Sequence, residues 1–199
     1  MADTYKTLAN PGEAIFKEKM SKFLAFAQHV ESAAEAKAVI AAFQKKYHDA
    51  RHVCWAYMVG PDHSEFLSSD NGEPSGTAGK PILGQINSFE LTDALIVVVR
   101  YFGGIKLGTS GLIAAYREAA RLAIQEAAIE ERHVSQTISF TFPYLAMNDV
   151  MKLIKTSGAT IKSQTFDNTC AMELAIRRDD APALIARLAE TDGVSIREC

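Results

Sequence analysis

The 199-residue chain carries 21 Lys and Arg against 24 Asp and Glu, for a formal net charge of −3, with 48% hydrophobic and 23% charged residues. This is the composition of an ordinary globular protein, long enough to bury a proper core in one large domain or two small ones. It excludes a generally basic nucleic-acid binder: residues 1–133 hold 14 basic against 16 acidic side chains and the remainder 7 against 8, so a polyanion could be met only by a local patch. No apolar run is long enough to span a bilayer, and the start, with Asp3 and Lys6 among polar residues, is unlike a signal peptide. Cys54, Cys170 and Cys199 are odd in number, widely spaced and without a CxxC pair. The expectation is a reducing cytoplasm, with no membrane, disulfide framework or metal knuckle.

Along the chain, Glu13 to Val30 reads as two short strands joined near Lys19-Ser21. Ser32-Ala-Ala-Glu35 is a capping box, and Ala36, Val39, Ile40, Phe43 and Tyr47 follow at helical spacing. Arg51 to Val59 reads as a strand, turned at Gly60-Pro-Asp-His63 into a short partner around Glu65–Ser68. Then comes an unusual loop, Ser69-Asp-Asn-Gly-Glu-Pro-Ser-Gly-Thr-Ala-Gly-Lys-Pro81, with Pro81 suited to a first helical turn. Leu95 to Val99 is a β-branched apolar run expected to be buried on both faces.

Gly103, Gly104, Gly108 and Gly111 punctuate a second loop carrying Lys106, just beyond Arg100. From Leu112 the residues Tyr116, Ala119, Ala120, Ala123 and Ala127 share one helical face, with Thr109 or Ser110 as candidate N-cap. Gly103 and Gly108 have Walker spacing, but Thr109 follows instead of Lys, and no GxGxxG is present. Two Gly-rich loops, each opening a helix, point to a surface able to hold an anion.

After Glu130-Glu-Arg-His133 the pattern changes. Ile138, Phe140 and Phe142 alternate along a strand; Met147, Val150, Met151 and Ile154 form a helical stripe ending at Gly158; residues 160–167 and 169–177 are two strands turned at Asp167-Asn168. Asp179 or Asp180 is placed to cap a helix with Pro182 in its first turn, and Val194–Ile196 closes as a strand. The order β-α-β-β-α-β over about 65 residues is that of a ferredoxin-like unit. The strand residues Ala171, Glu173 and Ala175 cannot stack bases, which argues against an RNA-recognition motif and for a packing or docking module.

Arg100 at the mouth of a buried strand calls for a carboxylate, Asp70 or Glu73, or for an anionic ligand. Asp70 can initiate a turn, and Glu73 can cap loop amides or pair with a base. His48 and His52 flank a helix-to-strand junction and lack a third metal ligand; Cys54, between Val53 and Trp55, reads as a buried structural thiol.

Asp49-Ala-Arg-His52, the loop Ser69–Pro81 and Val98-Val-Arg-Tyr-Phe-Gly-Gly-Ile-Lys-Leu-Gly-Thr-Ser-Gly-Leu112 together resemble the signature of the YigZ/IMPACT family, with Ser110 standing where that family's loop usually has a second Gly. The resemblance implies an α+β protein of two domains. Residues 1–132 would be similar to the fold of small-subunit ribosomal proteins and of elongation factor G domain IV, and residues 133–199 would be ferredoxin-like, similar to domain V of that factor. It also implies kinship with eukaryotic IMPACT, which regulates translation by competing for an activator of a stress-responsive initiation-factor kinase.

The expected function is a translation-associated binding protein meeting RNA phosphates or a ribosomal partner, with no cofactor, no metal and no assigned catalytic residue. The expected site comprises Arg51, His52, Asp70, Gly72, Glu73, Thr77, Gly79, Lys80, Arg100, Tyr101, Gly104, Lys106, Gly108, Thr109 and Gly111, with Arg51, Lys80, Arg100 and Lys106 supplying charge and amides near Thr77 and Thr109 supplying donors. The alternative is a site for a phosphorylated metabolite in the same loops, with hydrolytic or isomerase chemistry by Asp70, Glu73 and His52.

Overall fold

Alternating apolar residues build the strands of this protein, and apolar residues three and four apart build its helices, into a mixed α and β fold of two units. The computed structural model describes residues 3–167 and 169–197. Its two units are Tyr5–Arg132, and the chain from His133 onward together with Asp3 and Thr4.

The first unit runs through β1 (Thr4–Leu8), β2 (Gly12–Glu18), β3 (Ser21–His29), α1 (Ala33–Lys46), β4 (His52–Val59), β5 (Glu65–Ser69), α2 (Gly79–Ser88), β6 (Ala94–Tyr101), α3 (Gly108–Glu126) and β7 (Ile129–His133). Five strands form an antiparallel sheet in the order β2-β3-β6-β4-β5, and β1 pairs with β7. The β2–β3 turn is closed by Lys19 and Met20, both at positive φ, as a tight two-residue hairpin requires. β6 is central and buried on both faces. Phe23, Cys54, Ala56, Ile96 and Val98 meet α2 and α3 on one face; Val53, Tyr57, Val97 and Val99 meet α1 on the other.

The Ser32 capping box forms: its Oγ accepts from the Glu35 amide at 3.1 Å, and the Glu35 carboxylate accepts from the Glu31 amide at 2.7 Å. The expected cap on α3 does not form. The chain enters through Gly108 at φ +74°, so Thr109 and Ser110 already lie inside the first turn, and the N-cap residue Leu107 makes no side-chain cap hydrogen bond. β1 and β7 are not among the expected elements: each is only five residues long, and the Glu130, Glu131 and Arg132 of β7 read as a junction between domains.

The second unit holds β8 (Ser135–Phe142), a 3₁₀ turn (Tyr144–Ala146), α4 (Met147–Ser157), β9 (Thr160–Thr165), β10 (Cys170–Arg177), α5 (Ala181–Ala189) and β11 (Ser195–Arg197). The sheet order is β11-β8-β10-β9, antiparallel throughout. Ile138, Phe140, Phe142, Met172, Leu174 and Ile176 pack under Val150, Ile154, Leu184 and Leu188. Gly158 ends α4 at φ +74°. Met151 departs from the expected stripe and is exposed, while Asp180 occupies the N-cap position of α5 without a side-chain cap hydrogen bond. Asn168, one half of the expected β9–β10 turn, lies outside the described residues.

Gly103 is where β6 leaves the sheet, and a methyl group there would overlap the Met20 carbonyl and the Ser21 amide, backbone atoms that cannot rotate away. Gly103→Ala should therefore destabilise the protein by about 1–3 kcal/mol, read as a lower denaturation midpoint. Gly84→Ala in α2, with open space around it, should be stabilising by about 0.5–1 kcal/mol. Equal effects in the two variants would contradict the packing argument.

Candidate functional site

Antiparallel register carries three side chains into one row at the end of the sheet: Phe23 on β3 lies opposite Arg100 on β6, which lies opposite His52 on β4. All three therefore face α2 and α3. Arg100 is buried, with its guanidinium carbon 5.6 Å from the ring centroids of both Phe23 and Phe102. Its Nη1 donates to Glu73 Oε1 at 2.6 Å, and the Tyr116 hydroxyl, rising from α3, donates to the same oxygen at 2.8 Å. The glutamate side chain is only 3% exposed. A charge buried so deeply is tolerated only when paired and hydrogen-bonded, so Glu73 and Arg100 hold each other in place. Arg100 Nε is sealed and has no partner among the described residues, its environment being the two rings.

Glu73 reaches this position because Asp70 organises its loop. The Asp70 carbonyl accepts from the Glu73 amide at 3.0 Å, and its carboxylate accepts from the amides of Gly76, Ala78 and Gly79 at 2.8, 3.0 and 2.8 Å. Asp70 thus caps α2 from outside the helix. Burial works against its charge, but the amides of Gly76, Gly79 and Ala78 and the Lys80 ammonium outweigh that and hold its pKa below the ordinary 3.8. Gly72 has φ +85°, and a methyl group there would come within 3.3 Å of His52 Nδ1, so glycine lets the loop lie across the imidazole. His52 Nδ1 lies 2.9 Å from the Asn71 carbonyl, which can only accept; Nδ1 therefore carries a proton, and Nε2 is turned toward Glu73 Oε2 at 3.8 Å.

Beneath the loop, Cys54 Sγ lies 3.0 Å from the Asp70 carbonyl and 3.3 Å from the Tyr116 hydroxyl. Burial pushes its thiol pKa up to about 12, so it is a structural thiol and not a nucleophile. Burial likewise raises the Tyr116 phenol far above its ordinary value, keeping it a neutral donor.

Above Glu73 and His52 opens a cavity of about 500 Å³, lined by Arg51, His52, Gly72, Glu73, Arg100 and Lys106 together with Gly108, Thr109 and the apolar Pro74, Phe102, Leu107 and Leu112. Arg51 and Lys106 are exposed at its rim, and neither has an ion-pair partner among the described residues. The uncapped first turn of α3 completes the wall. Among the described residues, no group of three or more His, Cys, Asp or Glu side chains is arranged to hold a metal ion.

Eight of the fifteen expected site residues thus share one cavity, and seven do not. Asp70, Thr77 and Gly79 build the loop: Thr77 is buried and its hydroxyl donates to the Pro74 carbonyl at 2.6 Å, while Gly79 packs on the Ser69 backbone. The expected donor amides near Thr77 are consumed by Asp70. Lys80 is exposed and does not line the cavity. Tyr101 alternates to the other face of the sheet, where its hydroxyl donates to Asp49 at 2.9 Å. Gly104 is exposed on its loop, and Gly111 faces a separate groove. Arg100, expected either to pair with Asp70 or Glu73 or to offer its charge to an anionic ligand, is paired with Glu73. Phe102, Leu107, Leu112 and the supporting Tyr116 were not expected at the site; a lone phenol on an otherwise Ala- and Leu-rich face was the available signal, since a buried hydroxyl needs a partner.

Removing Glu73 leaves Arg100 buried and unpaired, so Glu73→Ala should cost about 3–5 kcal/mol. Tyr116→Phe removes one hydrogen bond to a charged group and should cost about 1.5–3 kcal/mol. Denaturant titration gives the ranking, and a milder effect of Glu73→Ala would refute the pairing argument. Asp70 contributes stability that is fully present above its unfolded-state pKa of about 3.9 and is lost as pH falls through its depressed folded value. Asp70→Asn should therefore be less stable at neutral pH and lose less on acidification; an acid limb as steep as that of the unsubstituted protein would contradict this role.

Known proteins provide the context for this arrangement. Residues 19–124, more than half of the chain, match the Impact N-terminal domain. An IMPACT family member of Haemophilus influenzae is 34% identical over 180 residues, covering 88% of this chain and 87% of that one. The IMPACT family member YigZ of Escherichia coli is 30% identical over 184 residues, covering 92% and 90%. A crystal structure described as that of a hypothetical protein, 27% identical, superposes with a TM-score of 0.81 and covers 100% of this chain and 98% of that one. The loop that carries Asp70 and Glu73 and the strand that carries Arg100 fall inside the matched domain, and with relatives of this identity over most of their length the chain belongs to the IMPACT family.

Proposed function

We propose that this chain is a translation-associated binding protein whose first unit takes phosphate groups of RNA at the cavity above Glu73. The observation that supports this most is the rim: Arg51 and Lys106 are exposed and unpaired among the described residues, beside an α3 N-terminus that no side chain caps. Amides and partial positive charge at such a terminus favour an anion, and two cations add to that attraction. In a chain of net charge −3, a polyanion must be met by a local patch, and this rim offers one. Family membership supports the translation context, since a curated relative in Saccharomyces cerevisiae bears the name protein IMPACT homolog and the eukaryotic members are implied to regulate translation. No group in the cavity requires a chemical step for this role, and binding is preferred over catalysis. The finer fold likenesses belong to the same proposal: the 4-1-3-2 antiparallel strand order of the second unit supports a ferredoxin-like domain similar to elongation factor G domain V, and the first unit is assigned to the domain IV type.

A second reading, a free phosphorylated metabolite in the same cavity, is favoured by its concavity and its volume of about 500 Å³, which lies in the range of small-ligand sites.

Co-sedimentation with ribosomes and anisotropy with single-stranded RNA across a salt series test the proposal. Arg51→Ala with Lys106→Ala should weaken binding and reduce the slope of log K against log salt by about 1 per residue. Lys80→Ala, outside the cavity, should leave the slope unchanged. A double variant that binds with undiminished affinity and slope would overturn the site.

A further inference from the structure

Below the basic rim, the floor of the cavity makes a demand that a phosphate cannot meet. Glu73 Oε1 is satisfied by Arg100 and Tyr116, but Oε2 has no hydrogen-bond partner among the described residues; His52 Nε2 lies 3.8 Å from it, too far for a hydrogen bond. Among the described residues the His52 Nε2 atom makes no hydrogen bond either, the ring's one hydrogen bond there running from Nδ1 to Asn71. Both side chains are about nine-tenths buried or more, at 11% and 3% exposed. Neither free atom is sealed, however: among the described residues, the side-chain polar atoms both sealed and unpaired are Asp3 Oδ1 and Arg100 Nε. Oε2 and Nε2 therefore open onto the cavity that their residues line.

A carboxylate oxygen accepts and never donates, and a phosphate oxygen beside it would meet like charge. What fits between Oε2 and Nε2 is a donor, and a hydroxyl supplies one: its proton goes to the carboxylate oxygen, and its own oxygen accepts from Nε2 only in the doubly protonated form of the ring. The rim asks for an anion while the floor asks for a hydroxyl, and one cavity holds both. In a ribonucleotide the 2′-hydroxyl and the 3′-phosphate sit on adjacent carbons, so a single residue of RNA carries the two groups side by side. Phe102, 43% exposed on the same wall, offers a ring face to a base.

We infer that this cavity recognises a phosphorylated ribose through its 2′-hydroxyl, with Glu73 Oε2 and His52 Nε2 as the groups that distinguish ribose from deoxyribose. The inference rests on the phosphate-binding reading of the rim and adds the chemical class of the bound unit. An unpaired buried acceptor penalises a ligand that lacks the donor, and this penalty is the source of the discrimination. The 2′-hydroxyl is the group by which a protein tells RNA from DNA at a given position.

The test uses the full chain and changes the ligand first, so that folding is not at issue. Anisotropy compares one single-stranded sequence as RNA, as DNA and as 2′-O-methyl RNA, which lacks the donor. The expected result is binding at least tenfold tighter for RNA than for the other two, with similar salt slopes because the phosphates are the same. Glu73→Gln and His52→Phe, each checked by circular dichroism, should bring the RNA-to-DNA affinity ratio down toward one. Equal affinity for the three strands in the unsubstituted protein would overturn the hydroxyl inference and leave the phosphate-binding rim standing. No binding to any strand at low salt would overturn the RNA reading as a whole. A parallel thermal-shift arm with adenosine monophosphates, 3′-phosphorylated, with and without the 2′-hydroxyl, separates the two sources of the same chemistry. Stabilisation by the ribose form alone, without strand binding, would assign the site to a free ribonucleotide and reject RNA as its ligand. Absence of both effects would reject the site.

Discussion

The buried pair of Arg100 and Glu73 is the interaction on which the first unit's working end depends. Arg100 leaves the central strand, Glu73 comes from the loop after β5, and the Tyr116 hydroxyl from α3 joins them, so strand, loop and helix are tied at one carboxylate. Each alone would be a costly buried charge, and together they fix the height of the loop above the sheet. His52, one strand over and in the same row, is held by the backbone of that loop. The cavity exists because the loop cannot settle lower onto the row of Phe23, Arg100 and His52 without displacing this pair.

The two glycine-rich loops look alike in sequence and do different work. Each leads into a helix whose N-cap residue, Ala78 or Leu107, makes no side-chain hydrogen bond. In the first, Asp70 supplies the missing acceptor to three amides, so that helix end is internally satisfied. In the second no acidic group does so, and the terminus stays open at the rim with Arg51 and Lys106. A helix end already served by a carboxylate has little left for an external anion, whereas an unserved one favours it. The asymmetry places the positive potential on one side of the cavity and confines the negative charge of Glu73 to its floor.

The second unit is organised around an apolar core. Its helices cover one face of a four-stranded sheet through Val150, Ile154, Leu184 and Leu188, while the other face carries Thr141, Ala171, Glu173 and Ala175. None of these side chains offers an aromatic face to a base.

Most elements were legible in the sequence because their periods are strong: the run of β6, the capping box of α1, the Ala-rich face of α3 and the Phe140–Phe142 strand each announce themselves locally. The weak β1 and β7 were not, because five alternating residues with charged neighbours carry too little signal. The sequence by itself also determined which residue types meet in the site region, and the family to which those motifs belong. It could not decide which carboxylate takes Arg100. Asp70 and Glu73 are three residues apart on one loop, and only the folded path turns one toward loop amides and the other toward the guanidinium. Nor could it separate Arg100 from Tyr101, since strand alternation sends adjacent side chains to opposite faces and burial decides which one the cavity receives. The partners taken by Arg100 and Tyr101 lie 27 and 52 residues away in the chain, and no local pattern encodes them.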